Sequence, residues 1–276
     1  MVNLRKSQQK LRSVLIGCAF FSIAFNGIGC DNGAPDMGAS RGGGNDAKMA
    51  ADRIAEAEPL WEGRQDLQRA RVCVAALRQA RTADYGNYEA AWKLARASFY
   101  VGDHTDNDDE RDDMFREGTD AGKAAVQLEP NKPDGHFWLG ANYGGIAAHS
   151  TIGNLSSFQD IKSEMEAVLK IDESYQGYSA YLGLGRLYLQ APRPLGGDTS
   201  KAMEYLEKGL KLNPNHSLMR YHLAEALESS NRDAEAKKQL EAVMATTPDP
   251  KYLPEHNDAV TMAKKLLEKI EANARR

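Results

Sequence analysis

Apolar and small residues return along the second half of the chain in two nested periods. Tyr181, Leu184, Gly185 and Tyr188 make one helical stripe, and Ala202, Leu206 and Gly209 make a second, closed by Pro214. The set recurs as Arg220, Leu223, Ala224 and Leu227, then Ala236, Leu240 and Val243, closed by Pro248. Spacings of three, four and seven residues put each stripe on one face of an α-helix. The prolines stop the second helix of each pair. Pro214 and Pro248 lie 34 residues apart, so one unit is two helices and a turn.

The same template extends upstream with more distortion. Ala91, Leu94, Ala95 and Ser98 fit a first helix ending at Gly102-Asp103, and Cys73, Leu77 and Ala80 fit the second helix of the preceding unit. His136, Leu139, Gly140 and Tyr143 give another first helix after Gly118, Gly122, Ala125 and Pro130, and Ile161, Met165 and Val168 supply its partner. Two stretches depart from the pattern. The acidic run from Asp103 to Asp113 repels itself and is read as a solvated loop; it lacks the glycine turn and bidentate glutamate of an EF-hand, so calcium is disfavoured. Gly144-Gly145 to Ser157 is read as a long connection. At the C-terminus, Val260, Ala263, Leu266, Leu267 and Ile270 share one stripe between Glu255 and Ala274, the pattern of a helix that covers the last repeat.

A 34-residue period with this spacing is the tetratricopeptide pattern. The expected fold is all-α: a tetratricopeptide-like solenoid of helical hairpins over residues 51–276 with a C-terminal capping helix. In such arrays the first helix of each pair lines the concave face. The residues one and five places after its leading aromatic slot then point into the groove: Trp92 and Arg96, Phe137 and Ala141, Leu182 and Arg186, Tyr221 and Glu225. Aromatic rings offer rigid area and guanidinium pairs with carboxylate, so Trp92, Arg96, Phe137, Arg186, Tyr221 and Glu225 are the candidate contacts for a ligand or partner. Trp61, Trp138 and Cys73 are assigned to the core.

The chain has 276 residues, 42% hydrophobic and 27% charged. Its only cations before residue 30 are Arg5, Lys6, Lys10 and Arg12, followed by an apolar run from Val14 to Ile28, the layout of a secretory signal. Without those four, 31 basic residues face 39 acids, a net charge of −8 that argues against nucleic acid and against adsorption to anionic lipid. Gly27-Ile28-Gly29-Cys30 is similar to a bacterial lipobox, which marks Cys30 for lipidation; Leu15-Ile16-Gly17-Cys18 has the better local match but too short an apolar segment before it. Residues 1–30 are thus expected to be a lipoprotein-type signal, and the Gly-, Ser- and Asp-rich residues 31–50 a flexible tether. With Cys18 removed and Cys30 acylated, Cys73 would be the sole remaining thiol.

Catalytic chemistry is not visible. The six histidines form no H-x-x-x-H pair, and no nucleophile elbow is present. Gly196-Gly197-Asp198-Thr199-Ser200-Lys201 lacks the Gly-Lys-Ser/Thr order of a phosphate loop and reads as a turn, with Asp198 or Thr199 capping the next helix. No enzyme activity, cofactor or metal is expected.

The segments Gly135 to Tyr143, Gly183 to Tyr188 and Pro192-Arg193-Pro194-Leu195-Gly196-Gly197-Asp198 with Lys201-Ala202 resemble the T-component proteins associated with TRAP transporters, the TatT family. The likeness runs from about Tyr85 to Ile270, and its most specific element is the Pro-Leu-Gly-Gly-Asp insertion inside a repeat. It implies a tetratricopeptide lipoprotein of the bacterial periplasm that partners a solute-binding protein and offers a groove to a small hydrophobic ligand, with membrane contact only through the anchor. The helix Trp92-Lys93-Leu94-Ala95-Arg96-Ala97 also resembles the regulators of microtubule dynamics, a related tetratricopeptide family. The runner-up reading is a generic envelope scaffold that binds a peptide or protein segment.

Overall fold

A computed structural model describes residues 44–149 and 155–274. Eleven α-helices are found among them: α1 (Gly44–Glu62), α2 (Leu67–Ala83), α3 (Tyr88–His104), α4 (Asp108–Leu128), α5 (Pro133–His149), α6 (Leu155–Ile171), α7 (Tyr175–Gln190), α8 (Thr199–Leu212), α9 (Ser217–Ser229), α10 (Asp233–Ala245) and α11 (Leu253–Ala274). Consecutive helices pack as hairpins, α1 with α2 through α9 with α10, and α11 lies on α9 and α10. The first helices α1, α3, α5, α7, α9 and α11 also touch in succession and form the inner layer. The 34-residue register is the register of burial: Ala202, Leu206 and Gly209 and their counterparts Ala236, Leu240 and Val243 are all buried.

Short polar side chains start the helices. Asp66, Asn87, Asn107 and Asp198 accept hydrogen bonds from free backbone N–H groups in the first turns of α2, α3, α4 and α8. At Asp198 the carboxylate takes Ser200 N and Lys201 N, so the amides that would cradle a phosphate already carry an anion. Small residues set the hairpin spacing: a Cβ on Gly122 would come 2.9 Å from the Leu139 backbone.

Three expectations need correction. The acidic run is not a loop: only Thr105–Asn107 separate α3 from α4, and Asp108, Asp109 and Glu110 form the first turn of α4. There they complement the positive end of the helix dipole, and Arg71 grips Glu110 through Nε and Nη2 at 2.7 and 2.8 Å, holding its carboxyl down at about 2. Gly144 and Gly145 lie inside α5, where Gly145 leaves room for the Phe115 ring; only the stretch between His149 and Leu155 remains of the long connection, and it lies outside the described residues. Residues 44–50, expected in the tether, are helical: α1 begins at Gly44 and Ala50 is buried, packing with Ile54 and Ala57 into the first core cluster, while residues 31–43 lie outside the described residues.

Candidate binding face on the inner helices

At the N-terminal end of the inner layer, α1 contributes Trp61, α3 contributes Trp92, Lys93, Arg96, Tyr100 and His104, α5 contributes Asp134, Phe137 and Trp138, and α7 contributes Tyr175. The four-residue steps 92, 96, 100, 104 put those α3 side chains on one stripe. The Arg96 guanidinium lies 4.0 Å from the Trp61 ring centroid and 5.0 Å from that of Trp92. Tyr88 and Tyr175 both donate to Asp134, at 3.0 and 2.8 Å. Burial and the Asp134 charge raise both phenols, which remain donors at neutral pH. Phe137 meets Trp138 and Tyr175 edge-on, at 4.9 and 5.4 Å between centroids.

Tyr175 sits beside strained backbone. Gln176, Gly177 and Tyr178 take φ values of 49°, 64° and 70°, a left-handed run that interrupts the start of α7. Only Gly177 adopts this without steric cost. The run is held from outside α7: Asn213 Nδ2 donates to Gly177 O at 3.1 Å, and the Tyr252 hydroxyl to Gln176 Oε1 at 3.2 Å.

The C-terminal end carries a second cluster. The Tyr221 hydroxyl donates to Glu225 Oε1 at 2.8 Å, and His222 Nδ1 lies 2.5 Å from Glu225 Oε2. Burial opposes the Glu225 charge but is outweighed by His222, Tyr221 and Arg186, so the carboxyl is lowered. Burial keeps His222 neutral, which makes its Nδ1–H the donor. The six candidates therefore fall into two groups: Trp92, Arg96 and Phe137 with Tyr175, and Arg186, Tyr221 and Glu225 with His222.

A feature with no local sequence signal joins the ends of the array. Arg64, in the turn after α1, bonds Glu255 of α11 through Nε (3.1 Å) and Nη2 (2.8 Å to each oxygen), and it also reaches Lys251 O at 3.0 Å. His104 Nε2 lies 3.2 Å from Asp258, and Ser217 Oγ 2.7 Å from His256 Nδ1. The start of α11 thus runs across the inner face, touching the first hairpin, α3 and α9. Trp61 and Trp138, assigned to the core, are only partly buried beside it and share the inner face with the candidates. Cys73 is fully buried, its thiol pushed up to about 11 by that burial.

Among the described residues no group of three or more His, Cys, Asp or Glu could hold a metal, and no helix is long and apolar enough to cross a membrane. No curated protein matches the chain. Among solved structures, a thermophilic TPR protein of Thermus thermophilus superposes with a TM-score of 0.57 at 19% identity, covering 77% of this chain and 99% of that one. PilF of Pseudomonas aeruginosa superposes with a TM-score of 0.53 at 14% identity, covering 84% and 100%. Both establish the helical-repeat fold and nothing finer. A tetratricopeptide repeat family matches residues 196–253, the stretch where the 34-residue period is cleanest. The family described as Regulator of microtubule dynamics protein 1-3 matches residues 53–190, half of the chain, and this tetratricopeptide-fold protein belongs to it.

Proposed function

We propose that the protein is a non-enzymatic binding module of the bacterial cell envelope, whose inner face captures a small ligand with an apolar body. The observation that carries this reading is the aromatic cluster of Trp61, Trp92, Phe137, Trp138 and Tyr175 on the inner helices, beside which α11 is tied down by Glu255 to Arg64, itself stacked over Trp61. An inner face tied to the chain's own last helix through Glu255 and Asp258 suits a compact ligand better than a long extended peptide. The signal-like N-terminus supports an envelope setting with anchoring at Cys30, which lies outside the described residues. The TatT resemblance supports the finer version, in which the array partners a solute-binding protein of a TRAP-type transporter.

A generic scaffold binding a protein segment is the second reading. It is favoured by the polar Arg186–Tyr221–Glu225 end of the same face, which suits peptide backbone and side chains. Native mass spectrometry with lipid extraction on the purified protein separates the two. Ligand capture predicts a co-purifying apolar molecule that is lost in the Trp92→Ala/Phe137→Ala variant with helicity unchanged. An empty protein that retains a peptide would sink it and favour the scaffold.

A further inference from the structure

The inner face collects three cations that are each less than a tenth exposed: Arg64, Lys93 and Arg96. Arg64 is satisfied by Glu255 and two carbonyls. Lys93 pairs with Glu58 and Glu89. Arg96 alone of the three makes no hydrogen bond. Its nearest carboxylate is Glu58 at 3.9 Å, already engaged by Lys93, and its Nε is buried without a partner. Its contacts are the faces of Trp61 and Trp92, which attract the charge but leave the N–H donors unused. A guanidinium this buried is costly to the empty protein, since its Nε has neither water nor an acceptor and only its Nη groups keep a little contact with solvent.

A second donor points to the same place. The indole Nε1–H of Trp138 is also buried, and it faces only the Tyr175 hydroxyl, too far off line for a good hydrogen bond. Tyr175 connects the two, its hydroxyl lying within electrostatic reach of Arg96 and next to the Trp138 indole. A guanidinium fork matches a planar group with two oxygens. Glu58, 3.9 Å from Arg96, and Asp134, which Tyr175 binds, would repel a doubly charged group, so a monoanion fits better than a phosphate. Trp92 and Phe137 are only partly buried and leave apolar surface for whatever the anion is attached to.

We propose that the inner face binds the carboxylate of a ligand with an aryl or alkyl body, Arg96 gripping the two oxygens and the Trp61 and Trp92 rings flanking the guanidinium. This rests on reading the face as a ligand-binding surface, and it adds the charge and shape of the ligand's polar end.

All three tryptophans of the chain, Trp61, Trp92 and Trp138, lie at this place, so intrinsic fluorescence of the full-length protein reads it directly. The probes are phenylacetate and decanoate, with phenylacetamide and decanol as uncharged counterparts and phenyl phosphate as the dianion. The expected result is saturable binding of an acid at least about tenfold tighter than its counterpart, a loss of about tenfold in Arg96→Gln, and partial recovery in Arg96→Lys. Melting temperature keeps the variant informative. Relief of a buried guanidinium without hydrogen-bond acceptors predicts that Arg96→Gln is as stable as the parent or more so, whereas a purely structural guanidinium predicts a lower melting temperature and no selective loss of acid binding. Equal binding of acids and uncharged counterparts overturns the carboxylate assignment while leaving capture of an apolar ligand intact; tightest binding of phenyl phosphate overturns the monoanion. A phenylalanine-ended tripeptide binding far more tightly than phenylacetate would keep the carboxylate and assign it to a chain terminus.

Discussion

Glu255→Ala should destabilise the protein far more than loss of a surface ion pair would. Arg64 has a side chain only 6% exposed and Glu255 one 30% exposed, and the pair is bidentate at 2.8 Å. Exposed pairs contribute about 0.2–1 kcal/mol, while removing one partner of a fully buried pair costs about 3–5 kcal/mol. Glu255 retains some water, so the expected loss lies between these limits, at about 2–3 kcal/mol, or roughly 30- to 150-fold in the unfolding equilibrium. Arg64→Ala should cost at least as much, since it also gives up the Lys251 and Trp61 carbonyls and the stacking over Trp61, 4.6 Å away. Urea unfolding followed by circular dichroism, in a double-mutant cycle, isolates the pair; its coupling should be about 1–2 kcal/mol. The contact also joins residues 191 positions apart, so it opposes fraying from the ends, to which helical-repeat arrays are prone. Both variants should therefore unfold less cooperatively. A coupling below about 0.5 kcal/mol, within the range of an exposed pair, would refute the claim that this contact closes the array.

Four further outcomes follow from the packing and the titrating groups. Gly122→Ala should cost about 1–3 kcal/mol in the same unfolding assay, because the added methyl meets backbone of α5 that cannot swing aside; Leu184→Ala, emptying a fully buried site, should cost about 2–5 kcal/mol. Cys73 should resist a thiol-directed disulfide reagent in the native protein at pH 8 and react within the dead time in urea, since burial both shields the thiol and raises it. His216 is held at about 4 by burial against an ordinary value near 6.5. Its Nδ1 accepts from Met219 N at 3.4 Å as the cap of α9, leaving Nε2–H for Ser179 Oγ at 3.1 Å, an arrangement that protonation of Nδ1 would break. With the folded value below the unfolded one, this stabilisation is complete above about pH 6.5 and is lost as pH falls toward about 4; His216→Gln should flatten stability across that window, and an unchanged slope would contradict the assignment.

The repeat architecture was written in the spacing of small and apolar residues because that architecture is local. Each hairpin is two helices and a turn with its own periodicity, so Leu206 and Leu240 declare their burial 34 residues apart without reference to the rest of the molecule. The Asp198 cap was legible for the same reason, as was the C-terminal cover helix. The acidic run reads as a loop on charge repulsion alone; at a helix N-terminus, with Arg71 brought up from α2, the same carboxylates are favourable. Gly145 carries a loop signal in the sequence, but in α5 it serves to make space for the Phe115 ring from another helix.

The candidate face divides along the same line. Trp92, Arg96, Phe137, Arg186, Tyr221 and Glu225 could be named because a helical stripe is a property of a short stretch. That Arg96 would be left without an acceptor, that Trp61 and Trp138 would join it, and that Glu255 would reach Arg64 depend on how far the array curves. Curvature is the accumulated rotation between successive hairpins, a sum over every interface in the solenoid. Contacts between its first and last elements exist only once that sum has been taken, and no single segment carries it.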